Sequence, residues 1–169
     1  MGCTEALTRD HEGVMEAAEA ATGMAVMLVQ GRDPEPGDLS TLVIYARTFI
    51  EQVHYLREEE VLFPVVKSRL PHLSSECDRL KADHSRARSL MERVAAGEGG
   101  AQQTGEVLAE WARLVRAHTR EEEAYLLPIV ERSLGPERCL QVRTGFARMD
   151  RPGRERMAEP LVRRYLVPA

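Results

Sequence analysis

Two stretches of the chain, HYLREEEVLFPVV (residues 54–66) and HTREEEAYLLPIV (residues 118–130), align at five key positions. Each opens on His, carries Glu at +4 and +5, Leu at +8 and Pro at +10. In an α-helix, residues i and i+4 lie one turn apart on one face. His54 therefore stands over Glu58, and His118 over Glu122. A second pair, Asp10-His11 and Asp83-His84, precedes each stretch. The sequence thus reads as two helical hairpins, each with one His on its first helix and HxxxE on its second.

Working outward, breakers divide the chain into four long segments. Gln30–Gly37, Arg69–Ser74, Gly97–Gly100 and Leu134–Pro136 hold the Gly and Pro residues expected of loops. The first helix is expected over 4–29, with Leu7, His11, Val14, Met15, Ala18, Thr22 and Ala25 on one face. The second starts at Asp38 or Ser40, both good N-caps, and runs to about Lys67. The third starts at Ser74 or Ser75 and places Cys77, Leu80, His84, Ala87 and Met91 together. The fourth spans 104–134, with a stripe of Trp111, Leu114, Val115, His118, Glu122, Tyr125 and Ile129. Four long helices joined by short loops predict an all-α, antiparallel four-helix bundle over 1–134.

Residues 135–169 differ. They hold eight Arg against three Glu and one Asp, a net +4, which leaves −8 on residues 1–134. Cys139, Leu140, Val142 and Phe146 suggest one short amphipathic helix, and Leu161, Val162, Tyr165 and Leu166 another. Packing of this basic extension onto the acidic bundle is the expectation. A docking segment for an acidic protein partner or nucleic acid is the alternative.

Composition sets further bounds. At 169 residues, 43% hydrophobic and 30% charged, the chain suits a single folded domain. Its net charge of −4 argues against generic nucleic-acid binding. No apolar run approaches the roughly 18 residues of a membrane span. The start, Met1 to Ala6, shows no basic-then-apolar leader, and Ala6 breaks the myristoylation pattern. Cys3, Cys77 and Cys139 are odd in number and far apart, so free thiols and a reducing cytoplasm are expected rather than disulfides.

The histidines carry the functional reading. A single His on a helix face is ordinarily a packed polar residue, and one HxxxE is unremarkable in so Glu-rich a chain. Two, aligned within a repeat and joined by two further inward histidines, converge on a bundle axis where unpaired polar groups are costly. His11, His54, His84 and His118 with Glu58 and Glu122 make a coordination set suited to two first-row transition ions. Iron, manganese and zinc all accept it. Glu59, Glu60, Glu121 and Glu123 read as a solvated face, and His72 as a loop residue outside the set. Asp10 and Asp83 are either surface charges or acceptors for imidazole N–H groups. Arg47 and Glu51 either line an access path or pair with each other. Tyr45, Tyr55, Met24 and Met27 read as packing.

The order His…HxxxE…His…HxxxE, with its EEExLFP-type continuation, resembles the hemerythrin-like HHE cation-binding family over residues 11–130. The resemblance implies a four-helix bundle with two non-haem irons. His11 and His54 would serve one iron and His84 and His118 the other, with Glu58 and Glu122 bridging and room for an oxo or hydroxo group. It also implies a small diatomic ligand, O2 or NO. Oxygen-carrying hemerythrins have a further His four residues after the third-helix His. Here that position is Arg88, which cannot ligate iron. The four-His, two-Glu pattern is closer to repair-of-iron-centres proteins. These are linked to oxidative and nitrosative damage, and they usually carry an extra cysteine-bearing N-terminal domain. Ferritin-like proteins, by contrast, use ExxH and more carboxylate. The implied function is sensing or handling of O2, NO or iron under redox stress. The alternatives are a helical interaction module with a structural metal, and an iron store or donor. No enzymatic reaction is singled out.

Overall fold

The computed structural model describes residues 2–97, 99–150 and 158–165, and all regular structure there is helical. Met1, Glu98 and Leu166, which figure in the expectations above, lie outside the described residues. Helix α1 is Glu5–Val29. Helix α2 covers 38–69 as five abutting pieces: Asp38–Tyr45, a π-helical Ala46–His54, Tyr55–Arg57, a π-helical Glu58–Leu62, and Phe63–Arg69. A 3₁₀ turn, Pro71–Leu73, leads into α3, Ser74–Ala96. Helix α4 covers 100–133 as Gly100–Glu121, a π-helical Glu122–Leu126, and Leu127–Ser133. Two short helices follow, α5 (Pro136–Ala147) and α6 (Glu159–Tyr165).

α1 to α4 form the expected bundle, and its polar centre separates two apolar cores. On one side Val14, Ala18, Ile50, Val53, Ala87, Met91, Trp111 and Val115 pack together. On the other, Leu7, Leu62, Val66, Leu80, Leu126 and Val130 do so. Each inward His lies between a residue of one core and a residue of the other along its own helix. Close packing of α1 on α4 needs small residues. A Cβ on Gly105 would meet Leu28 Cβ at 2.9 Å and the Ala25 carbonyl at 3.0 Å.

One helix start shifts, and two expected boundaries take a definite form. α4 begins at Gly100, not Thr104, which is itself buried. α2 begins at Asp38, but the Asp38 side chain does not cap it. Its carboxylate instead accepts from the Tyr165 hydroxyl at 2.8 Å and pairs with Arg164, tying α6 to the start of α2. Gly97, at φ 63°, ends α3 in the left-handed conformation that favours glycine.

Two other expectations are corrected. Tyr125 is 50% exposed, so it is not on the inward stripe of α4. The π turn at Glu122–Leu126 inserts a residue into the repeat and turns Leu126 inward in its place. Cys3 and Cys139 are also not free thiols. Their Cα atoms are 4.6 Å apart and they form a disulfide that ties the segment leading into α1 to α5, leaving Cys77 as a free, buried thiol. Separation by 136 residues is what hid this pair from the sequence. With it goes the cysteine argument for a reducing compartment.

α5 buries Val142 and Phe146 in the second core, and α6 buries Leu161 and Tyr165 in the first. No helix among the described residues is long and apolar enough to cross a membrane.

Candidate metal centre

Both inward glutamates sit on π turns, and the sequence explains why. Pro64 and Pro128 lack an amide N–H, and a proline ring crowds the carbonyl four residues back. The helix opens upstream of each. Phe63 N–H donates to the Glu58 carbonyl, and Leu127 N–H to the Glu122 carbonyl, both five residues back. This widened turn is the structural content of the Pro at +10 in the repeat.

The structure brings all six candidate residues together in the bundle interior. His54, His84, Glu58 and Glu122 are fully buried, His11 is 1% exposed and His118 4%. Glu58 Oε2 lies 3.1 Å from His84 Nε2 and 4.0 Å from His118 Nε2. Glu58 Oε1 lies 3.6 Å from His54 Nε2 and 3.9 Å from His11 Nε2. Glu122 Oε2 lies 3.3 Å from His11 Nε2 and 3.4 Å from His118 Nε2. The six resolve into two ligand groups, His11-His54-Glu58-Glu122 and Glu58-His84-His118, which share Glu58. Exposed His72 lies in the 3₁₀ turn, outside both groups.

Each outward imidazole nitrogen faces a different carboxylate, and the internal repeat relates the contacts in pairs. His84 Nδ1 donates to Glu59 at 2.8 Å, and His11 Nδ1 donates to Glu123 at 3.1 Å. Asp10 stands 3.7 Å from His54 Nδ1, and Asp83 stands 3.7 Å from His118 Nδ1. A carboxylate only accepts, so Nδ1 of His84 and of His11 carries a proton, and Nε2 is the nitrogen each would offer to a metal once any proton there is displaced. Glu59 and Glu123 are therefore corrected from a solvated face to partners of the site. Arg88 holds Glu59 at 2.8 Å and lies over the Tyr55 ring, which in turn stacks on His84 at 3.8 Å. Arg57 bonds Asp10 at 2.6 Å and also pairs with Asp150. Arg79 holds Asp83 at 3.1 Å.

Electrostatics follow from this crowding. Burial acts to lower the His11 pKa, but Glu122 and Glu58 prevail and raise it to about 10. His118 rises to about 10 against the same burial, through Glu122 and Asp83. His84 is raised by Glu58 and Glu59. Burial pushes Glu58 and Glu122 upward, yet the surrounding imidazoles hold both below the usual carboxylate range. Glu59 falls to about 2 beside His84 and Arg88, again against the effect of burial.

The donor set fits a metal on an observation of its own. His11 Nε2, both nitrogens of His54, and all four carboxylate oxygens of Glu58 and Glu122 are buried without a hydrogen-bond partner. The inward Nε2 atoms of His84 and His118 face each other at 3.1 Å. Buried polar atoms without partners are costly alone, and the inward nitrogens and carboxylate oxygens among them become favourable around a cation.

The family model for the hemerythrin HHE cation binding domain matches residues 4–130. The chain belongs to the hemerythrin HHE family. Nothing among curated proteins or solved structures matches it significantly. Family membership and the buried His/Glu cluster together mark this HHE protein as metal-binding. Sequence reasoning missed Glu59, Glu123 and Tyr55. Their signal lies in a neighbouring helix rather than in their own periodicity. Asp10 and Asp83 were visible, because each immediately precedes an inward His.

Proposed function

We propose that this HHE protein holds two non-haem irons, one on His11 and His54 and the other on His84 and His118, with Glu58 and Glu122 between them. The observation that carries this reading is the shared carboxylate. Glu58 belongs to both ligand groups, and Glu122 reaches His118 across from its own. A single ion would leave half of these buried donors without a partner.

Bound iron would supply one-electron redox chemistry and positions for O2 or NO. The chain's own residues bind and orient. The glutamates place charge between the two sites, and Glu59 and Glu123 fix His84 and His11 by their Nδ1–H groups. The flanking apolar cores keep bulk water away. Arg88, where oxygen carriers have a histidine, anchors Glu59 and leaves one coordination position without a protein nitrogen. That favours sensing or handling of O2, NO or iron under oxidative or nitrosative stress over reversible oxygen carriage.

Elemental mass spectrometry on the untagged chain tests this, followed by optical spectra under O2 and NO. About two irons per chain, with a spectrum that changes on gas addition, is expected. Zinc or manganese at the same stoichiometry would retain the site and overturn the redox role. One ion or none after reconstitution would overturn the paired site.

A further inference from the structure

Beside the His/Glu cluster lies a half-open cavity of about 670 Å³. It is walled by the start of α1, the middle of α2, and α5. The size is within the roughly 300–1,000 Å³ usual for small-molecule sites. Its apolar wall is Ala6, Phe49, Val53, Leu140 and Phe146. Asp10 and Arg57 also line it, and both are more than nine-tenths buried. Asp10 and Asp150, two of the three acids among its described lining residues, are engaged by Arg57. The Arg57 Nε is buried and has no hydrogen-bond partner. Arg9 and Arg143 also line the cavity, both exposed, with Glu5 as the remaining acid. The described lining is thus apolar on one side and balances three arginines against three carboxylates; outside the Arg57 group, Arg9 and Arg143 stand against Glu5 alone, and the Arg57 Nε is an unmet buried donor.

We infer that this cavity binds a small organic anion with an apolar body and a carboxylate head, the head met by Arg9 and Arg143. The Cys3–Cys139 disulfide supports this, because it joins the two walls, α1 and α5, that carry these arginines. A planar carboxylate matches the guanidinium fork, and arginine is the side chain suited to such bidentate contacts. The hydrocarbon body covers the wall that includes Leu140, which is 59% exposed. The inference does not rest on the identity or number of the metals. None of the six candidate ligands lines the cavity.

Decanoate is the probe, titrated calorimetrically into the full chain below its micellar concentration, with decanol as the neutral control. A carboxylate can also reach metals directly, so the titration is run on the protein as isolated and after chelation. One saturable site per chain is expected in both. The Arg9→Ala/Arg143→Ala double variant should weaken decanoate binding about tenfold or more. Both residues are exposed, so the fold is not at stake, and thermal melts check this. Ala147→Trp, which fills part of the cavity, should abolish binding while leaving metal content unchanged. Equal affinity for decanol and decanoate would overturn the anion assignment. So would unchanged decanoate affinity in the double variant. Binding lost on chelation would assign the probe to the metals and overturn the cavity site.

Discussion

Glu58 stands within 4.0 Å of an inward nitrogen on all four histidines, a position no other side chain in the cluster matches. Glu58→Ala removes the group common to both ligand sets, and it should lower metal content below two per chain and uncouple whatever ions remain. A variant with full metal and an unchanged spectrum would sink the bridging assignment. His72→Ala should change nothing, since His72 lies outside both sets. Glu59→Gln acts one layer out. It weakens the acceptor on His84 Nδ1, and such outer partners typically alter metal affinity about 10–100-fold. A competition titration with a chromophoric chelator reads that change. Glu58 was legible from the sequence because His at i and Glu at i+4 share a face in both halves of a repeat. Glu59 was not. One residue on, it points toward the flank, and only the packing of α3 decides that the flank is covered by His84 and Arg88 rather than water.

At the scale of elements, the four bundle helices were legible because apolar spacing at three and four residues persists for many turns. The π turns were not. The eye reads Tyr125 and Ile129 as continuing the stripe of His118 and Glu122, and a regular helix would place them so. The proline at +10 is the physical signal. It costs an amide donor, the upstream turn widens, and the register slips so that Leu62 and Leu126 enter the core. The seat of α6 was equally hidden, because it depends on an absent side chain. A Cβ on Gly23 of α1 would collide with the Tyr165 carbonyl oxygen and come within 2.9 Å of its Cβ. Gly23→Ala should therefore displace α6 while gaining helix propensity in α1. Overpacking of this kind costs about 1–3 kcal/mol, more than the propensity gain. Limited proteolysis should cut the C-terminal segment faster in the variant, and the melting temperature should fall. A variant as resistant as the parent would show that α6 does not depend on this contact.

At the scale of the whole molecule, metal binding and folding stability are linked through the same protons. In the metal-free chain, His11 and His118 titrate at about 10 and so remain protonated at neutral pH, paired with Glu58 and Glu122. Their raised values stabilise the metal-free fold fully below the ordinary histidine pKa of about 6.5. That contribution fades as pH rises through 10. The lowered values of Glu58 and Glu122 act in the opposite direction, contributing above about 4.5 and fading as pH falls. The metal-free chain should thus be most stable between about pH 4.5 and 6.5 and lose stability toward pH 10. A metal needs the deprotonated nitrogen, so each ion must displace protons below pH 10. With one such histidine per ion, apparent affinity should rise by up to about tenfold per pH unit for each ion between 7 and 9, about a hundredfold for loading the pair. The melting temperatures of loaded and metal-free protein should consequently diverge as pH rises. Titrations in buffers of different ionisation enthalpy count the released protons directly. Melting curves that stay parallel across this range, with no proton release, would mean that the paired imidazoles and carboxylates are not the groups the metal engages.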